Sequence, residues 1–405
     1  MVEATAADTP INWEQMLAAR SAGMKSSAIR ELLKLTQQPD VISFAGGLPA
    51  PELFPVREIE EACSHLLRHQ ASKALQYSTT EGHPPLRQYL AETLSERGTQ
   101  YGPDDILVTT GSQQALDLIG RVFLDPGDAV ITANPTYLGA IQAWRAYEAT
   151  FATVPLDDDG MVVEAVADVA SSRQVKFLYV LPNFHNPAGT TLTLDRRHRL
   201  VEIAREHNLI IVEDDPYGAL RYEAEDLAPI AALAPERTIY LGTFSKTLTP
   251  GLRIGWVMAP PAIRHRLVQA KQGADLHSST FDQMIANDIA QRGILKTHVR
   301  KLRQVYGERM HTMLDAMSEF WPQECSWTQP QGGLFLWART PESVNAVDLL
   351  SEALKRKVAF VPGVNFYPHE DGGHNTMRLN FSNAKPDMIV EGVRRLGQTI
   401  KESLV

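Results

Sequence analysis

The feature that most constrains this chain is a change of period along its middle. Short runs continuous in apolar, often β-branched residues, among them Ile106–Thr109, Ala129–Thr132, Phe177–Leu181, Leu209–Val212, Thr238–Leu241 and Gly255–Met258, alternate with amphipathic stretches such as Gln113–Phe123 and Arg196–His207. A strand without a polar face is one covered on both sides, and the covering residues sit in the helices between. The alternation predicts an α/β domain with a mostly parallel sheet, placed at 46–300.

After Ser279–Phe320, predicted helical throughout, the grammar changes. Strand-like Gly333–Ala338, Ala359–Val361 and Met377–Asn380 interleave with helical Val344–Lys355 and Pro386–Leu404, giving a smaller α+β domain at 301–405. The segment 1–45 carries two amphipathic helical stretches within Asn12–Gln37. It is expected to pack with the small domain near the substrate entrance.

Composition narrows the classes of function. With 405 residues, 44% hydrophobic and 21% charged, the chain can bury two or three domain cores and is neither disordered nor membrane-like in balance. A net charge of −9 disfavours nucleic acid, which needs a basic face. Met1 to Glu14 lacks a basic start followed by an apolar run, so no secretory signal is read. No stretch approaches the ~18 apolar residues of a membrane span. A cytoplasmic protein acting on small solutes is expected. Cys63 and Cys325 lack metal spacing, so no metal site is expected and both read as apolar filler.

Four segments carry candidate chemistry, each just past a predicted strand. Thr243-Phe244-Ser245-Lys246 is followed by Arg253. An amine condenses with an aldehyde, while hydroxyls and a guanidinium fork suit a phosphate; alone, the segment also fits a surface loop. Glu213-Asp214-Asp215-Pro216-Tyr217 offers a carboxylate that can keep a pyridine nitrogen protonated and a phenol for a ring oxygen, or else a simple turn. Asn186, in Asn183-Phe184-His185-Asn186-Pro187, can reach the same ring oxygen. Thr109-Thr110-Gly111-Ser112-Gln113 turns from strand to helix and presents free amides to an anion. Open α/β sheets place ligands at the carboxyl ends of their strands, where all four segments meet.

With these motifs the chain resembles the fold-type I pyridoxal 5′-phosphate (PLP) enzymes, specifically the class I/II aminotransferases and among them the 2-aminoadipate and kynurenine/aminoadipate group. The likeness extends through Arg30-Glu31-Leu32-Leu33-Lys34, Ser43-Phe44-Ala45-Gly46-Gly47, Gln76-Tyr77-Ser78 and Gln272-Gly273-Ala274-Asp275. It implies a seven-stranded, mostly parallel sheet plus a small α+β domain. It further implies that Lys246 is the Schiff-base lysine and proton shuttle, that Asp214 pairs with the pyridinium, and that Asn186 and Tyr217 bind the ring oxygen. Tyr137 is implied to stack on the ring. Ser112, Gln113, Ser245 and Arg253 are implied to hold the phosphate, joined by Tyr77 from a second subunit of a homodimer with composite sites. Arg378 matches the clamp on the substrate α-carboxylate, Gly47 a turn that approaches the substrate, and Arg30 an N-terminal arginine that reads an acidic side chain or faces solvent.

The reaction this implies moves an amino group from an L-amino acid (2-aminoadipate, glutamate, leucine or aromatic donors) to a 2-oxo acid, expected to be 2-oxoglutarate, by a ping-pong course. Two departures stand out: Thr243 replaces a commoner serine, and His185 a glutamine, the latter expected to be a supporting polar residue. A PLP lyase of the same fold would use the same Lys246 and Asp214. An aminotransferase-like transcription regulator fits neither the charge nor the space before the catalytic domain.

Overall fold

The computed structural model describes residues 11–23, 40–223, 225–369 and 371–404. In chain order its strands are β1 (Ile42–Ser43), β2 (Ile106–Thr110), β3 (Ala129–Asn134), β4 (Thr150–Asp157), β5 (Gly160–Met161), β6 (Phe177–Val180) and β7 (Ile211–Asp214). There follow β8 (Thr238–Thr243), β9 (Ile254–Met258), β10 (Ser326–Trp327), β11 (Phe335–Arg339), β12 (Val358–Ala359), β13 (Val361–Pro362) and β14 (Thr376–Asn380).

The central sheet has the order β2-β9-β8-β7-β6-β3-β4-β5. Strand β9 runs antiparallel to both neighbours, while β3, β4, β6, β7 and β8 are parallel. The eighth strand is one more than expected. It is the two-residue β5, returned against Leu156 and Asp157 by the turn at Asp158-Asp159, with Gly160 at φ +94°.

Alternation along each strand sends neighbours to opposite faces. Tyr179 and Val212 join one core beneath the helices Ser112–Phe123 and Leu138–Arg145. Leu178, Val180 and Ile211 enter another core under Val163–Ser172 and Leu194–Glu206. A third core covers β2, β8 and β9 with the helices Val56–His69, Pro84–Ser95 and Thr280–Gln291. Each fully buried side chain of Leu, Ile or Phe size contributes roughly 1.5–3 kcal/mol relative to exposure.

The predicted helical stretch 279–320 is two helices, Thr280–Gln291 and Ile294–Phe320, parted at Gly293 with φ +72°. At 1.5 Å per residue the second is about 40 Å long, and it packs along the helix Pro386–Ser403, where Trp321 Nε1 donates to Val393 O at 3.2 Å. These helices, the sheet β10-β11-β14-β13 and Ile42 and Phe44 share one core. Strand β1 pairs in parallel with β12, so the chain just before Gly47 is tied to the C-terminal residues. The residue-300 boundary falls inside the helix Ile294–Phe320. Of the two amphipathic stretches expected within Asn12–Gln37, the described part holds the short helix Trp13–Met16 and a 3₁₀ turn at Ala19–Gly23; Arg30 lies outside the described residues.

Candidate active site

A cavity of about 750 Å³ opens at the carboxyl edge of the parallel strands. It is lined by Gly47, Ser112, Gln113, Tyr137, Asn186, Asp214, Tyr217, Ser245, Lys246, Arg253 and Arg378. The topology explains the convergence. Ser112, Tyr137, Asn186 and Ser245 each follow a strand end, Asp214 is the last residue of β7, and Arg253 precedes the antiparallel β9 and so reaches the same edge.

Asp214 is buried, and its Oδ2 accepts a 2.8 Å hydrogen bond from the Tyr179 hydroxyl. Its Oδ1 has no partner. Burial, partly offset by that phenol, pushes the carboxyl up to about 7. Its neighbours point elsewhere because the strand alternates. Glu213 accepts from the amides of Ile230 and Ala231 at 2.9 and 2.8 Å, while Asp215 pairs with Arg97 at 2.9 Å.

Lys246 Nζ donates to Gly47 O at 2.7 Å. Burial, aided by the positive charges of Arg378 and Arg253, lowers the ammonium to about 8. Arg378 is buried; its guanidinium donates to Asn186 Oδ1 at 2.9 Å and Ala45 O at 2.7 Å and lies over the Phe335 ring at 4.2 Å. Among the described residues it has no acidic partner, and Nε is unpartnered. Burial lowers it to about 10. An unpaired buried guanidinium is a costly group whose natural complement is an incoming carboxylate.

Asn186 Nδ2 donates to the Tyr217 hydroxyl at 3.4 Å, and burial raises that phenol. Gly111 has φ +75°, and a Cβ there would stand 2.5 Å from an Arg253 Nη. The glycine therefore lets the guanidinium lie against the start of the helix Ser112–Phe123, whose first residues Ser112 and Gln113 line the cavity and whose N-cap offers no side chain to the first amides. Thr243 Oγ1 donates to Ile254 O at 2.9 Å, lies 3.0 Å from the Ser245 hydroxyl, which can donate to it, and accepts from Ser245 N. It fixes the loop that carries Ser245 and Lys246.

Tyr137 and Gln113 meet at 3.4 Å, and Gln113 also donates to Gly139 O at 2.9 Å. Tyr77 is not in this lining. It is 79% exposed and packs edge-on against His277. His185 is buried, both ring nitrogens lack partners, and burial lowers it to about 3, so it is neutral and outside the lining.

The residue that sequence reasoning missed is Tyr179. Its signal was a tyrosine inside the fully apolar run Phe177–Val180, since a phenol on a doubly covered strand needs a buried acceptor. With Lys246, Arg253 and Arg378 against the single carboxylate Asp214, the lining suits a ligand set rich in negative charge. The free Oδ1, the amine of lowered basicity and the arginine beside the helix start fit a phosphorylated pyridine aldehyde plus a carboxylate.

Fold and cavity together define an enzyme of amino-group chemistry, and comparison with known proteins gives the family. Residues 39–396 match the model for aminotransferase class I and II. The chain belongs to this family and is an aminotransferase. It is 48% identical to aromatic-amino-acid aminotransferase 1 of Thermococcus litoralis over 97% of this chain and 96% of that one. With the 2-aminoadipate transaminase of Thermus thermophilus it shares 44% identity over 97% and 98%. The crystal structure of Pyrococcus horikoshii kynurenine aminotransferase, in complex with PMP and with KYN as substrate and KYA as product, superposes with a TM-score of 0.93 at 45% identity, over 97% of this chain and 99% of that one. Among the described residues, no helix is long and apolar enough to cross a membrane.

Proposed function

We propose that this aminotransferase uses PLP and accepts a broad set of L-amino acid donors, neutral and aromatic as well as acidic, with 2-oxoglutarate as amino acceptor. The observation that carries the reading is Arg378, a buried cation with no acidic partner among the described residues, in one cavity with a lysine lowered to about 8 and an aspartate with one oxygen open.

PLP supplies an aldehyde that condenses with amines and a ring that draws electrons from the donor Cα. Lys246 would hold the aldehyde, Asp214 the ring nitrogen, and Asn186 with Tyr217 the ring oxygen. Tyr137 would contact the ring. Ser112, Gln113, Ser245 and Arg253 would hold the phosphate. Arg378 grips the donor carboxylate, and Gly47 lies close to the donor. Once free, Lys246 Nζ takes the proton from the donor Cα, a task that needs its neutral form.

Beyond its three cations and Asp214, the described lining is uncharged and includes Leu138, Gly139, Gln142 and Leu181. That supports leucine and aromatic donors; 2-aminoadipate and glutamate are donors to the extent that Arg30, outside the described residues, reads their side-chain acid. The relatives' names include aromatic amino acids and 2-aminoadipate. We assign 46–300 to a large cofactor domain and 301–405 to a small domain joined by the segment 1–45. We also propose a homodimer in which Tyr77 reaches its partner's phosphate site, supported by the exposure of Leu75, Tyr77 and Leu276 on adjoining loops.

The test is the visible spectrum of the PLP-loaded protein after single additions of 2-aminoadipate, glutamate, leucine and phenylalanine. Each donor should replace the visible band with the near-ultraviolet absorption of the aminated cofactor. No visible band after PLP is supplied, or an unchanged borohydride-reducible adduct in Lys246→Ala, overturns the assignment.

A further inference from the structure

We infer that Tyr179 is a positioning residue for the reaction, acting through Asp214: its hydroxyl holds Oδ2 so that Oδ1 alone is presented to the cofactor ring. The inference rests on the PLP reading above.

The arrangement is one-sided. Asp214 takes one hydrogen bond from the described residues, the 2.8 Å bond from Tyr179, and its other oxygen is buried and unpartnered. Most buried carboxylates that serve structure are satisfied on both oxygens. Asp215, next in the chain, shows that pattern, accepting from Arg97, Tyr240, Asn183 and the Gly218 amide. Here one oxygen is tied off and the other kept open.

The phenol itself is held without polar help. Tyr179 is fully buried in β6, in register with Val212 on the neighbouring β7, two residues before the carboxylate. Trp144 packs edge-on against its ring at 5.0 Å between centroids, and the indole is fixed in turn by Nε1 donating to Leu116 O at 3.0 Å. Ring position is thus set by packing, leaving the hydroxyl one described partner, Asp214. A short bond from a rigid donor fixes the carboxylate plane and favours its ionised form, the form that retains a proton on a ring nitrogen.

The test is a double-mutant cycle of Tyr179→Phe and Asp214→Asn on the PLP-loaded enzyme, reading PLP dissociation by fluorescence and kcat separately from KM. Tyr179→Phe should weaken PLP binding and lower kcat by roughly tenfold to a hundredfold, the range of one hydrogen bond to a charged group, with little change in donor KM. In the Asp214→Asn background the same change should cost almost nothing. Full additivity overturns the inference and leaves Tyr179 a packing residue. An Asp214→Asn variant that binds PLP and turns over normally overturns the cofactor reading itself. Should Tyr179→Phe fail to fold, 3-fluorotyrosine at 179 keeps the shape and strengthens the donor. It should then tighten PLP binding, and an unchanged affinity would count against the role.

Discussion

Lys246 occupies a place where its cation is costly, because it is desolvated and faces Arg378 and Arg253. A base needs its lone pair, so the competent fraction grows with pH, is half at about 8 and saturates only above that value. The kcat profile should therefore rise through that value and level off. Arg253→Gln should move the limb to higher pH by less than the whole shift, since burial is the larger cause; an unmoved limb would show that the arginine's charge does not reach the amine. Arg378→Gln removes two charge-assisted bonds available to a donor carboxylate. Steady-state kinetics should show kcat/KM falling by on the order of a hundredfold or more, at ~1.5–3 kcal/mol per bond. Lys246 and Asp214 were singled out by their own segments and Arg378 by the family resemblance, and the structure brings the three into one cavity. Tyr179 was not singled out, because a single tyrosine in an apolar run looks like core until the neighbouring strand shows what its hydroxyl meets.

Among the elements, the turn from β2 into the helix Ser112–Phe123 is built on two glycines with different jobs. Gly111 has a positive φ and makes room for the Arg253 guanidinium, while a Cβ on Gly255 in β9 would lie 2.6 Å from Gly111 C and Ser112 N. Side chains can yield and backbone cannot. Gly255→Ala should thus lower the melting temperature more than Gly111→Ala, which costs roughly 1–3 kcal/mol for its backbone conformation and should chiefly weaken phosphate-dependent PLP binding. Equal melting losses would mean that Arg253 is as immovable as the backbone. The strands with continuous apolar runs were readable from sequence to within a residue or two, and β7 was placed two residues early because Glu213 and Asp214 look like a loop. Strand β4 went unread: it lies near the sheet edge, Thr150 and Pro155 are exposed, and its polar and apolar residues mix. Ala359–Val361, read as one strand, is split between β12 and β13, which pair in different sheets.

For the whole molecule, the open question is whether one chain makes one site. In this chain Tyr77 is 79% exposed, held edge-on to His277 beside exposed Leu75 and Leu276. Large apolar groups clustered on adjoining loops mark a contact surface more often than a free one. The composite-site reading requires that Lys246 of one chain work with Tyr77 of its partner. Lys246→Ala alone should be inactive, and Tyr77→Ala alone should bind PLP more weakly. Mixed, unfolded and refolded together, the two variants form hybrids in which the Tyr77→Ala chain keeps its own Lys246 and receives an intact Tyr77 from the other. PLP affinity and turnover of the mixture should therefore exceed the average of the two parents. A mixture that merely averages them would place Tyr77 outside its partner's site, and a monomer by sedimentation would remove the composite site altogether while leaving the assignments within one cavity standing.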